Sequence, residues 1–260
     1  MTAQYLQSLF GFDGQVAVVI GGTGVLGGKL CEGLAQAGAH VVVAGRSVER
    51  GNERVAAIEG LGGKASFVDV DATSRASVQK LLDTVVQQHG RAHALVNCAG
   101  ANSSTPYLDI TEEEFHKIIT TNLLSTLLGC QIFGRHMIDA GGGSILNIGS
   151  VSSYRPLSRV FTYSASKAAV LNLTQNLARE FAPHHVRVNC LCPGFFPAEQ
   201  NRKILDKKRV EDIQRHTPMG RLGDAPELIG ATLLLLSPRA GSFITGEAVY
   251  VDGGFTAMTI

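Results

Sequence analysis

Val16-Ala-Val-Val-Ile20, running straight into Gly21-Gly-Thr-Gly-Val-Leu-Gly-Gly28, decides the fold of this chain. The first five residues are apolar and mostly β-branched, which reads as a buried strand. The glycines that follow permit a tight turn and close approach of main chain to a neighbour. From Gly27 to Ala37 the pattern is helical. A strand, a glycine-rich turn and a helix in that order set the free N–H groups of a helix N-terminus beside the turn. That arrangement suits a pyrophosphate. Glycines alone would equally make a tight turn with no ligand, so the surrounding pattern matters.

Outward from this stretch, β-branched runs alternate with longer helical patterns. Strands are expected at His40–Ala44, Ala65–Val68, Ala94–Asn97, Ser144–Ile148, Val186–Leu191 and Ala248–Val251. Helices are expected at Val48–Glu59, Ser74–His89, Thr111–Ala140, Phe161–Phe181 and Ala225–Leu236. Regular β/α alternation predicts a doubly wound, seven-stranded parallel sheet with helices on both faces, a Rossmann fold. No repeat or linker divides the chain, so residues 1–260 read as a single domain. The segment from Phe195 to Met219 breaks the alternation and is the expected substrate lid.

Composition narrows the function. The 260 residues carry 23 basic and 22 acidic side chains, a balance that speaks against nucleic acid as the partner. No apolar run is long enough to span a bilayer, and residues 1–13 lack the pattern of a secretion signal. A cytoplasmic location is expected. The five cysteines are odd in number and lie mostly in apolar stretches, so reduced, buried thiols are expected and no metal.

Tyr163-Ser-Ala-Ser-Lys167 carries the chemistry. On a helix, Tyr163 and Lys167 are four residues apart and share a face. A free phenol titrates near about 10, and a cation beside it favours the phenolate, as a general acid/base requires. Ser150, at the end of an apolar run, offers a hydroxyl to a substrate oxygen beside the phenol. Taken alone, the pair would be an ordinary exposed helix pair.

Together these residues resemble the short-chain dehydrogenase/reductase family across essentially the whole chain. The resemblance is carried, in order, by the Gly21…Gly27 loop, Asp69-Val70, Asn97-Cys-Ala-Gly100, Asn122, Ser150, Tyr163-x-x-x-Lys167, Pro193-Gly194 and Asp252-Gly-Gly254. Two positions depart from the family pattern. Val25 stands at the middle loop glycine, and Ala198 at a threonine after Pro193-Gly194. The resemblance implies catalysis by Asn122, Ser150, Tyr163 and Lys167. Tyr163 would exchange the proton, Lys167 would hold the nicotinamide ribose, and Ser150 would steady the substrate oxygen. Asn122 would hold a helix distortion and a water in a proton relay. It further implies a nicotinamide cofactor held by Gly21, Thr23, Gly24, Val25, Leu26, Gly27, Arg46, Asp69, Val70, Asn97, Ala99, Gly100, Tyr163, Lys167, Pro193, Gly194 and Phe196. A cofactor-binding scaffold without turnover is the alternative, against which the four intact catalytic positions speak.

The end of the second strand points to one cofactor. A carboxylate there would bind a ribose 2′-hydroxyl and repel a 2′-phosphate. The chain has Gly45-Arg46 instead, and a guanidinium pairs well with phosphate. NADP(H) is therefore preferred, with NAD(H) possible.

The segments Pro193–Arg202 and His216–Arg221 resemble one branch of the family, the D-mannonate (fructuronate) oxidoreductases, and imply a sugar-acid substrate. Gln200, Asn201 and Arg202 supply donors, acceptors and a cation for hydroxyls and a carboxylate, with Ser150, Ser152 and Tyr163 at the reacting oxygen. A polyol, a ketone or a 3-oxoacyl group remains the alternative substrate. The resemblance also implies a homotetramer or homodimer through the apolar helices Thr111–Ala140 and Phe161–Phe181.

Overall fold

The computed structural model describes residues 2–197 and 207–258. A short helix, α1 (Ala3–Phe10), precedes the first β/α unit, β1 (Val16–Ile20) and α2 (Val25–Gln36). The chain continues through β2 (His40–Gly45), α3 (Val48–Gly60), β3 (Lys64–Asp69), α4 (Arg75–His89) and β4 (Ala94–Asn97). Next come α5 (Glu112–Ile119), a π-turn (Thr120–Leu124) and α6 (Ser125–Asp139). They are followed by β5 (Gly143–Ile148), α7 (Phe161–Phe181), β6 (Val186–Pro193), α8 (Lys207–His216), α9 (Ile229–Leu236) and β7 (Ala248–Val251).

All seven strands are parallel, in the order β3-β2-β1-β4-β5-β6-β7. The order reverses between β1 and β4. In such a sheet a ligand crevice opens there, at the carboxyl ends of the strands. β1 is buried along its whole length and divides its side chains between two cores. Val16, Val18 and Ile20 pack toward Leu81, Val85, Phe133 and Met137 of α4 and α6. Ala17 and Val19 pack toward Leu30, Leu34 and Leu235 of α2 and α9. Helices cover both faces, as the unbroken apolar runs require.

Sequence and structure part in three places. The expected helix Thr111–Ala140 is interrupted by the π-turn. The expected helix Ala225–Leu236 begins as a 3-10 turn, Ala225–Leu228, because Pro226 and an Asp224/Glu227 capping box set its entry. Helix α1 has no counterpart in the sequence reading. It is fastened from the far end of the chain, where Ser237 Oγ donates to Leu9 O and Arg239 to Ser8 O.

Candidate active site

A trench runs along the carboxyl ends of the strands, and the glycine turn forms its wall. Gly21 has φ +90° and lies so close to β4 that a Cβ would come within 2.7 Å of Ala99 N. A Cβ on Gly27 would overlap the Gly21 carbonyl oxygen. Only glycine therefore allows the turn and the first turn of α2 to close against each other. Gly24 is the N-cap of α2 and supplies no side-chain cap to it. The N-terminus of α2 thus faces the trench with its dipole and N–H donors directed at incoming negative charge.

One end of the trench, about 270 Å³, is lined by Gly21, Thr23, Gly24, Arg46, Arg50, Val70, Asp71, Thr73, Ala99 and Gly100. The other end, about 190 Å³, is bounded by Val25, Leu26, Gly27, Gly100, Ile148, Tyr163 and Lys167. Arg50 and Gly100 border both. A dinucleotide matches this donor set, with an uncapped helix start for a diphosphate and guanidinium groups at the β2 end for a further phosphate. Lys167 stands at the opposite end.

The candidate catalytic residues lie on three elements. Tyr163 and Lys167 begin α7, with Lys167 Nζ 5.7 Å from the centroid of the Tyr163 ring. Lys167 is only 5% exposed, and its ammonium donates to Ile148 O of β5 at 2.7 Å. Ser150 follows β5 as the N-cap of the turn Val151–Ser153. Its hydroxyl accepts from Ser152 N and from Ser152 Oγ, each at 3.1 Å. Ser153 Oγ accepts from Ser150 N at 3.1 Å and donates to Lys167 O at 3.0 Å, so the serine turn is pinned to α7.

Asn122 sits in the π-turn and is fully buried. Its Oδ1 accepts from Ala101 N at 2.7 Å, and its Nδ2 donates to Ala101 O at 3.0 Å and Ser166 Oγ at 2.9 Å. Ser166 Oγ in turn donates to Tyr163 O. The amide therefore clamps the loop after β4 to the helix that carries Tyr163 and Lys167.

Several expected cofactor contacts fall elsewhere. Asn97 turns away from the trench into the core, where Nδ2 donates to Asn147 Oδ1 at 2.9 Å. Asp69 ends β3 in an exposed position outside the trench lining, while Val70 and Asp71 line it. Thr73 donates to Asp71 through its hydroxyl and N–H, and these bonds hold the Asp71 carboxyl below the usual range. Pro193 closes β6, Gly194 N donates to Val251 O, and the Phe196 ring is buried over Gly223. None of the three lines the trench. Gln200, Asn201 and Arg202 lie outside the described residues. Arg50, Asp71 and Thr73 were missed because only the side-by-side pairing of β2 and β3 brings the start of α3 next to the loop after β3. Arg46-x-x-x-Arg50 spacing was the available signal.

A family model described as enoyl-(acyl carrier protein) reductase matches residues 24–256. Gluconate 5-dehydrogenase of Gluconobacter oxydans is 34% identical, over 95% of this chain and 97% of its own. The chain belongs to the short-chain dehydrogenase/reductase family. An uncharacterized oxidoreductase of Bacillus subtilis is also 34% identical, over 94% of this chain and 95% of its own. The crystal structure of a gluconate 5-dehydrogenase from Burkholderia cenocepacia, in complex with NADP and tartrate, superposes with a TM-score of 0.93 at 32% identity. It covers 98% of this chain and 100% of that one. Short-chain dehydrogenase/reductases are NAD(P)-dependent oxidoreductases of CH–OH groups, and this chain is an oxidoreductase of that class. Among the described residues no His, Cys, Asp and Glu cluster is placed to hold a metal, and no helix is long and apolar enough to cross a membrane.

Proposed function

We propose that the protein interconverts a secondary alcohol and a ketone on a sugar acid, with NADP(H) as the preferred cofactor. One observation carries the reading. Tyr163 and Lys167 line the same trench as the uncapped start of α2. Gluconate 5-dehydrogenases among the relatives support a hexonate, and the NADP-bound neighbour supports the phosphorylated cofactor. Arg46 and Arg50 border the trench at the β2 end, where a 2′-phosphate would be read.

When bound, the nicotinamide supplies or accepts the hydride. Tyr163 Oη gives the proton to the substrate oxygen in reduction and takes it back in oxidation. Lys167, held by Ile148 O, keeps a positive charge beside that phenol and reaches toward the cofactor ribose. Ser150 donates to the same substrate oxygen, its turn held by Ser153. Asn122 fixes the loop after β4 relative to α7 and so sets the width of the site. The Phe195–Met219 segment acts as the lid, and Gln200, Asn201 and Arg202 of that segment meet the substrate's hydroxyls and carboxylate. Arg209 ties α8 to the turn before α7 by donating to Ser158 O at 2.7 Å. Within the sugar acids, the D-mannonate/D-fructuronate couple is the first choice, on the chain's own lid residues.

The test is NADPH and NADH oxidation with fructuronate, 5-ketogluconate, a simple ketone and a 3-oxoacyl thioester. The expected result is turnover of a keto sugar acid with NADPH favoured. Turnover of the thioester alone would overturn the substrate class.

A further inference from the structure

Under the turn that carries Ser150 lies a second group of reactive side chains, which proton transfer does not use. Cys190 and Cys192 alternate along β6 and so point to one face. Their sulfurs stand 3.7 Å apart. Both press on Gly149, where a Cβ would come 2.7 Å from Cys190 Sγ and 2.8 Å from Cys192 Sγ. Gly149 immediately precedes Ser150. Ser153 Oγ, which accepts from Ser150 N, borders the same glycine, 3.1 Å from where that Cβ would stand, and the Lys167 cation acts on both thiols.

The five cysteines of the chain are therefore not alike. Burial pushes the thiols of Cys98 and Cys130 up, to about 11 and about 12. Cys31 is pushed up further by burial. Cys192 is shifted the other way, chiefly by its hydrogen-bonded contact with Cys190, with the Lys167 cation adding to the effect. Cys190 keeps its proton and is raised. A thiol shifted down in this way, next to a second thiol, has the ingredients of redox chemistry. Tyr250, the register partner of Cys192 on β7, lines a cavity of about 410 Å³ with Phe196, Thr217 and Met219.

We propose that Cys190 and Cys192 form an oxidisable dithiol that switches the Ser150 turn, with a hydroperoxide as its oxidant. The Cys192 sulfur attacks the peroxide O–O bond and takes one oxygen as a sulfenic acid, while the other oxygen leaves and is protonated. The Cys190 sulfur then displaces the sulfenic oxygen as water, closing the S–S bond. With hydrogen peroxide, two thiols lose their two hydrogens and one peroxide becomes two waters. A disulfide requires the sulfurs at about 2 Å and the Cβ atoms at about 4 Å, whereas alternate Cβ atoms of a strand stand roughly 6.6 Å apart, so closure must bend β6 as well as join the sulfurs. Both sulfurs then shift against Gly149, the residue before Ser150, and the turn loses part of its support. Both the trench wall at Ile148 and the hydroxyl of Ser150 depend on that turn.

The inference rests on the reading of Ser150 as the donor to the substrate oxygen, so the test has arms that do not need turnover. The intact protein is treated with hydrogen peroxide, trapped and cleaved with trypsin. Both cysteines fall in residues 188–202, between Arg187 and Arg202. The expected product is this peptide lighter by two hydrogens, restored by dithiothreitol. Hydrogen exchange at residues 149–153 is expected to rise with it, and the NADPH-dependent rate to fall at least tenfold and recover on reduction. Cys190→Ala is expected to keep its untreated rate and to form no such peptide, and Cys192→Ala serves as the second variant. Absence of the lighter peptide, or its appearance with unchanged exchange at 149–153, overturns the proposal. An untreated protein inactive on every keto sugar acid would instead overturn the substrate reading, while the peptide and exchange results still decide the switch.

Discussion

Lys167 Nζ lies 5.7 Å from the centre of the Tyr163 ring while donating to Ile148 O at 2.7 Å. The second bond gives the first its meaning. A lysine at four-residue spacing on an exposed helix is a mobile cation with many rotamers. Here the end of β5 accepts one of its three protons and the side chain is buried. The charge is therefore held in one place beside the phenol, with donors left for a ligand.

Tyr163→Phe removes the proton carrier and little else. The expected outcome is a loss of turnover of about 10²–10⁴-fold with NADPH affinity preserved. Steady-state rates with NADPH fluorescence titration check both halves, and a near-normal rate would remove Tyr163 from its role.

Asn122→Ala deletes three hydrogen bonds and leaves Ala101 N and O without their partner. Loss of buried bonds of this kind costs about 1–3 kcal/mol. Urea unfolding is expected to show that loss, with a drop in kcat as the loop after β4 loosens from α7. A variant of unchanged stability would show that water replaces the amide.

Arg46→Ala tests the phosphate reading. Hydrogen bonds to a charged group contribute roughly 1.5–3 kcal/mol, or about ten- to a hundredfold in affinity. KM for NADPH is expected to rise by that order and KM for NADH to stay put. The reverse design, Gly45→Asp, meets an obstacle, because a Cβ at Gly45 would come 2.5 Å from Thr23 Oγ1. It is expected to need Thr23→Ala before NADH gains.

Acid stability is expected to depend on two histidines. His93 Nδ1 accepts from Val16 N at 3.0 Å, and His136 Nε2 accepts from Ala92 N at 3.1 Å. Both are held below the ordinary 6.5, first by burial and then by the Arg91 cation. Their folded values lie below the unfolded one, so the unfolded chain binds protons first. The stability is fully present above about 6.5 and is lost as pH falls through the lower folded values. Thermal melts between pH 8 and 5, as an order-of-magnitude window around that value, check the slope. His136→Gln, which keeps an acceptor, is expected to flatten it.

Much of this protein was legible in the chain itself. The β-branched runs place β1 and β4 at their observed ends, and the apolar pattern of Phe161–Phe181 places α7, because strand and helix periods are local properties. The glycines of residues 21–28 mark the cradle for the same reason. Asn122 was expected to mark a helix distortion, and a π-turn lies there.

Other features follow only from tertiary contact. Asn97 follows the apolar run of β4 as a trench residue would, yet its side chain pairs with Asn147 on the next strand, in the core. The period of two fixes that Asn97 and Cys98 face opposite ways but not which of them faces the trench. α1 exists through bonds to Ser237 and Arg239, more than two hundred residues away. The contact of Cys190 with Cys192 needs only the strand period. The pressure of both on Gly149 needs β5 and β6 side by side. The chain by itself determined the fold class and named the candidate reacting residues, since both are written in short-range patterns of side-chain type. The tertiary structure decided which side chains face the trench, which groups hold Lys167 and Ser150 still, and which glycine the two β6 thiols press on. Those depend on strand order and register, which no local pattern encodes.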